Sequence, residues 1–382
     1  MSGEDFQFDS GQMALYVHIP FCTSKCCYCS FYSEPIIDHD SKALVSALIK
    51  EMEKYADADF RTAYIGGGSP SCLASEQLLR LVEKITHRFP DIAEFTVEAN
   101  PGQLTPDTLV QLLNAGVNRL SIGAQSFNTV ELEFLGRRHT VDAINATVST
   151  AKNIGFKNIN LDLIFAVPGS NLDSWSKSLN AAIALGVQHI SAYSLTFEQG
   201  TLLEKLLQLG EVEPLPEELD RQMYELAIDT LSANGFTQYE ISNFSKSEFE
   251  CLHNLTYWAN HPYVGIGPAA GSFYDGHRTI NMADIKKYIA AIQRDGDPVT
   301  QTEEPNEIEF ACETAVLNLR RTQGIDMGEY EQLTGYDPLE LFADTIDKYL
   351  KMKLLKIQSG KICLTRDALP IADSILCDFS VI

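Results

Sequence analysis

Cys22, Cys26 and Cys29 stand in a Cys-x3-Cys-x2-Cys spacing, within Ile19-Pro20-Phe21-Cys22-Thr23-Ser24-Lys25-Cys26-Cys27-Tyr28-Cys29. Three thiolates on one short loop can hold three irons of a 4Fe–4S cluster. The fourth iron then has no ligand from the loop and is free to bind a small molecule. The spacing therefore suits catalysis as well as electron storage. The competing chemistry is zinc. Structural zinc takes four ligands, usually as two pairs, and no second Cys-x2-Cys or matching His pair follows. Cys27 adjoins Cys26, so its side chain points elsewhere, and it reads as a non-ligand. Cys72, Cys251, Cys312, Cys363 and Cys377 read as packing residues; of these, Cys251 lies near a second motif around His253.

The elements that must position this loop alternate β and α. Short β-branched or aromatic runs occur at 14–19, 62–65, 94–98, 119–123, 158–165 and 189–195. Amphipathic segments lie between them at 42–55, 77–85, 106–115, 141–154 and 174–185, and 217–233 follows the last run. Thr105 and Pro106 read as an N-cap and first helical residue, and Gly155 and Gly186 as helix stops. Six β-then-α units predict a parallel sheet with right-handed crossovers. A closed barrel takes eight units, so the expected fold is α/β, an incomplete (β/α)6 parallel barrel. Chemistry in such a sheet sits at the carboxyl ends of the strands.

Residues 240–300 break the rhythm, being rich in Asn, Gly, His and aromatics. Residues 301–382 read as a small module, with helices over 307–319 and 338–352. A β-wing follows over 355–358 and 362–365, turned by Ser359-Gly360-Lys361. The expected boundaries are a barrel domain at 1–240, a connecting segment at 241–300 and a helical module with a β-wing at 301–382.

The chain has 382 residues with 29 basic and 52 acidic side chains, a formal charge of −23. That balance argues against nucleic acid, which needs clustered Lys and Arg, and against anionic membranes. No apolar run reaches a membrane span. The N-terminus is acidic, without a basic or apolar leader segment, so a reducing cytoplasm is expected.

With these residues in place, the chain resembles the radical S-adenosylmethionine superfamily. Tyr16-Val17-His18-Ile19-Pro20-Phe21-Cys22 is more closely similar to the oxygen-independent coproporphyrinogen III oxidase group, which includes the HemW-type heme chaperones. The resemblance spans nearly the whole chain. It implies that S-adenosylmethionine chelates the open iron. One electron from the cluster then breaks a C–S bond and yields a 5′-deoxyadenosyl radical.

The resemblance also assigns residues. Gly67, Gly68 and Ser69, in Gly66-Gly67-Gly68-Ser69-Pro70-Ser71, would bind the methionine ammonium through backbone groups. Glu98, Gln125, Arg137 and Asp162 match the group's cofactor-contact pattern at or just after later strands. Arg137 suits the methionine carboxylate; the other three suit ribose hydroxyls or the ammonium. For Asp162 the alternative is a buried, hydrogen-bonded carboxylate. Tyr16 and Tyr28 flank the loop, as cofactor contacts or as core packing.

Two functions remain open. One is an oxidase that decarboxylates coproporphyrinogen propionates in porphyrin biosynthesis. The other is a chaperone that binds heme and delivers it to acceptor proteins such as cytochromes. Three features favour the chaperone, and whether the chain is an enzyme stays open. The oxidases carry a fourth cysteine where this chain has Phe31. They also have a longer segment before the loop. Third, His253, Asn254, Tyr257 and Trp258 form the His-Asn-x-x-Tyr-Trp motif of HemW-like proteins. Imidazole is a common heme ligand, and aromatic rings can cover a porphyrin; a structural histidine is the alternative. His261 reads as structural, and His18 belongs to both groups. A radical enzyme on another substrate would use the same cluster residues.

Overall fold

The computed structural model describes residues 13–380. The acidic N-terminal segment lies outside the described residues.

Six parallel strands form the centre: β1 (Met13–Ile19), β2 (Phe60–Gly67), β3 (Glu94–Ala99), β4 (Arg119–Gln125), β5 (Asn158–Phe165) and β6 (His189–Ser194). They pair in sequence order. The helices between them are α1 (Ser41–Met52), α2 (Ser75–Arg88), α3 (Pro106–Asn114), α4 (Val141–Ile154) and α5 (Leu172–Ala184), with α6 (Glu217–Ala233) after β6. Side chains cap the starts of α1, α3, α4 and α5, and the cap at Thr105 is the one the sequence implies. Thr105 accepts from the Thr108 amide at 3.1 Å, and Asn171 and Ser174 form a reciprocal capping box.

Alternation along each strand separates two environments. Leu15, Val17, Ile65, Val97, Ile122, Leu161 and Ile190 turn outward into one core shared with the helices. The opposite faces carry Tyr16, Tyr64, Glu98, Arg119, Ser121, Asn160, Asp162 and His189, which bond or pack with one another. The sheet thus wraps a polar interior, which makes it a site as well as a core.

Residues 240–300 correct the sequence reading. They extend the sheet at both edges instead of interrupting it. β7 (Asn243–Ser245) pairs antiparallel with β6, and the short strand Thr237–Gln238 lies beyond it. β8 (Tyr263–Ile266) pairs parallel with β1. β9 (Gly271–Tyr274), β10 (His277–Asn281) and β11 (Val299–Glu303) follow antiparallel. Among the described residues the sheet is twelve-stranded, and its edge strands do not pair to close it. The barrel is incomplete, as expected.

Between β7 and β8 runs α7 (Leu252–Trp258), and α8 (Glu307–Arg320) opens the C-terminal module. That module has its own core around Leu319, Tyr330, Phe342, Leu355 and Phe379. Its wing is β12 (Leu355–Gln358) and β13 (Lys361–Leu364). Ser359 and Gly360 both take positive φ, 52° and 77°, as a tight hairpin turn demands. The helix expected over 338–352 breaks at Phe342 into Pro338–Leu341 and Ala343–Lys351. No helix among the described residues is long and apolar enough to cross a membrane.

Candidate cluster and cofactor site

The cysteine loop leaves β1 at its carboxyl end. Its base is pinned by Phe21–Cys22 pairing with Glu34–Pro35 and by the glycine stretch after β2. The Gly68 amide donates to the Ile19 carbonyl at 2.9 Å, and the Ser69 amide to the Phe21 carbonyl at 2.7 Å. A Cβ on Gly68 would lie 2.5 Å from the Phe21 carbonyl oxygen, so only glycine lets the two segments meet.

Cys22, Cys26 and Cys29 line one cavity of about 260 Å³, together with Tyr28, Asn100 and Arg137. Cys27 turns away, its thiol donating to the Phe134 carbonyl at 3.2 Å. Burial pushes the Cys22 and Cys29 thiols up. Iron would reverse this, since coordination deprotonates a thiol. Three sulfurs around a cavity of this size suit a polynuclear group.

Arg137 is the best-held side chain of the site. It donates to Cys26 Sγ at 3.4 Å, to the Gly123 carbonyl at 2.8 Å, and to Asn100 Oδ1. Its Nε is buried with no hydrogen-bond partner. A buried charged donor without an acceptor is costly, and a ligand carboxylate would satisfy it.

Glu98, at the end of β3, accepts from Tyr64 Oη at 2.7 Å and from the Gly67 amide at 3.2 Å. Burial lifts its pKa to about 7. Asp162 accepts from Asn160 at 2.8 Å and Ser121 at 3.2 Å, and burial raises its pKa too. It has the partners of a satisfied interior carboxylate. Gln125 closes β4 at φ 66°, beside an irregularity in the pairing with β5. A non-glycine residue held there is strained, as often occurs at functional sites. Tyr28 packs on the apolar cluster of Leu135, Ile164, Val167, Leu195 and Leu203.

Several expected contacts lie elsewhere. Ser69 is buried and bonds to Ser71, Gln103 and Asn100. It holds Asn100, and so Arg137, in place. Like Gly67, Glu98, Gln125 and Asp162, Tyr16 does not line the cavity. It packs inside the barrel against His18, Tyr64 and His253.

His253 is the larger correction. It is 1% exposed and both ring nitrogens are engaged, Nδ1 with Thr62 Oγ1 at 2.8 Å and Nε2 with Tyr257 Oη at 2.9 Å. Glu94 accepts from the Leu252 and His253 amides at the start of α7. The motif helix plugs the amino end of the barrel, and its histidine has no free nitrogen for iron. Asn254, Tyr257 and Trp258 are half-buried. The Trp258 carbonyl accepts from Asn318, and Arg320 covers its ring at 4.9 Å, which ties the barrel to the C-terminal module. Among the other cysteines, Cys251, Cys312 and Cys363 are buried, but Cys377 is exposed and not a packing residue.

The sequence reading missed Asn100, Gln103 and His139 on the cavity wall, and Lys25 and Arg138 on its rim. Asn100 had a signal: it follows Glu98 in a strand-ending Asn-Pro pair. The others had none that singled them out.

Residues 16–182 match the radical SAM superfamily, and residues 306–371 match the HemN C-terminal domain. The chain is 38% identical to the protein named heme chaperone HemW of Bacillus subtilis, across 92% of this chain and 94% of that one. The chain belongs to the HemW family. A second member, from Lactococcus lactis, is 33% identical across 95% of this chain and 96% of its own. The solved coproporphyrinogen III oxidase HemN of Escherichia coli superposes with a TM-score of 0.83. It covers 98% of this chain and 91% of its own at 20% identity, a likeness of fold. The radical SAM superfamily that residues 16–182 match implies a 4Fe–4S cluster and S-adenosylmethionine. The three cavity thiols and the unsatisfied Arg137 Nε fit both groups.

Proposed function

We propose that this chain is a cytoplasmic heme chaperone that receives heme and passes it to acceptor proteins such as cytochromes. Cys22, Cys26 and Cys29 hold the cluster. Gly68 and Arg137 line the cavity and would meet S-adenosylmethionine there; Gly67, Glu98, Gln125 and Asp162, outside its lining, are assigned to the cofactor by the family resemblance. The observation that carries the reading is 38% identity to a heme chaperone across 94% of that protein's length. Phe31, in place of the oxidases' fourth cysteine, supports it.

A bound cluster supplies single electrons to S-adenosylmethionine beside it. The chain's own residues do the rest. Arg137 meets a carboxylate with a buried, charged donor. Glu98 fixes the Gly67 amide and so the path of the glycine stretch. Tyr28 and its apolar neighbours cover one wall against water. Because burial keeps Cys22 and Cys29 protonated, loading the cluster releases protons.

The fold shared with HemN keeps the oxidase as the second reading. One anaerobic incubation separates them, with reconstituted cluster, reductant, S-adenosylmethionine and coproporphyrinogen III. A true oxidase runs in parallel, and products are read by chromatography. No decarboxylated product from an intact cluster is expected. Turnover would make this chain an oxidase.

A further inference from the structure

The cavity that holds the cysteines is electrostatically unlike the rest of the chain. The sequence carries 52 acidic residues against 29 basic ones. Yet Lys25, Arg137, Arg138 and His139 stand around the cavity with no carboxylate among its lining side chains. Arg137 is engaged below, by Asn100, Gly123 and Cys26. His139 faces the Ala124 carbonyl, and burial and Arg137 hold its pKa at about 4, so it is neutral.

Lys25 and Arg138 are different. Both are exposed on the rim. Neither makes an ion pair among the described residues. Lys25 donates to the Phe31 carbonyl at 3.3 Å. In a chain with so many carboxylates, two unpaired cations beside one mouth form a local field that attracts an anion.

The three thiols and Arg137 commit the cavity of about 260 Å³ to the cluster and S-adenosylmethionine. A tetrapyrrole is left the mouth. Its two propionates leave one edge of the macrocycle. The rim offers two cations to meet them.

Building on the heme-binding reading, we propose that Lys25 and Arg138 form a carboxylate-docking site for the propionates of a tetrapyrrole. The ligand then sits at the cluster mouth, at the opposite end of the barrel from His253.

The test is a heme titration of the reconstituted full-length protein, followed in the Soret region. Wild type is compared with the double variant Lys25→Glu/Arg138→Glu. The reversal should raise the heme Kd at least tenfold while the S-adenosylmethionine Kd stays within twofold. Heme dimethyl ester, with its propionates masked, should bind wild type as weakly as heme binds the reversal variant. Arg138→Lys should keep most of the affinity. If wild type binds heme and the reversal changes nothing, the rim site is wrong and the chaperone reading stands. The same holds if the ester binds as tightly as heme. If wild type binds no heme, both are wrong. If the reversal abolishes binding of an acidic redox protein but spares heme, the rim belongs to a protein partner and the proposal falls.

Discussion

The imidazole of His253 lies almost flat against the ring of Tyr64, 5.1 Å between centroids and 30° between planes. Tyr64 in turn donates to Glu98, which accepts from the Gly67 amide. The motif helix at one end of the barrel is thereby joined to the glycine stretch at the other.

His253→Ala should therefore act on stability. It strands Thr62 and Tyr257 without their buried partner, at a cost of about 2–5 kcal/mol. Urea unfolding reads the loss, and an unchanged midpoint would contradict the assignment. His253→Gln, which can still bond both hydroxyls, should recover part of it.

Arg137→Ala should weaken S-adenosylmethionine binding by about 1.5–3 kcal/mol, the size of a charged hydrogen bond. Calorimetric titration on the cluster-loaded protein checks this. Arg137→Lys should not restore affinity, because a single ammonium cannot replace a fork that holds Asn100, Gly123 and Cys26 together. A wild-type Kd in either variant would remove Arg137 from the site.

Glu98 makes the fold pH-dependent. Its pKa rises from 4.5 to about 7 on folding, chiefly through burial. The native state holds the proton more tightly, so stability is full below the unfolded value. It falls as pH climbs through this window and is level above it. The total is about 3 kcal/mol. Glu98→Gln abolishes the titration. The stability difference between variant and wild type should move in the variant's favour by that amount between about pH 4 and about pH 8. A difference that stays constant with pH would show that Glu98 is ionised throughout.

The neighbouring thiols Cys26 and Cys27 should separate cleanly. After anaerobic reconstitution, Cys26→Ala or Cys22→Ala should lose the iron–sulfur absorption, whereas Cys27→Ala should keep it. The Cys27 thiol faces Phe134, not the cavity. Equal spectra for the Cys26 and Cys27 variants would reverse the ligand assignment.

What the sequence made legible follows from how local each signal is. Six strands were visible because each carries an alternation of apolar and polar residues that needs no partner to be recognised. β8 was not: it has four residues, is followed at once by Gly267, and owes its place to pairing with β1, far away in the chain. The cysteine spacing was legible because ligation depends on it. The direction of the His253 ring was not. A motif states which residues occur together, while Thr62 and Glu94, which decide its burial, come from other strands. Ser69 illustrates the same limit, since its neighbours Asn100 and Gln103 are supplied by the next unit.

Arg137 meets Cys26 across 111 residues of chain, and the Leu203 amide bonds the Cys27 carbonyl from still farther along. On a ribosome the cysteines emerge long before the residues that enclose them. During synthesis the thiols are bare, without the arginine or the Leu203 contact. Iron and sulfide delivered at that stage would meet an open loop. The enclosed site therefore exists only once Arg137 and Leu203 have joined the loop, so its walls are set by the whole barrel and not by the cysteine segment.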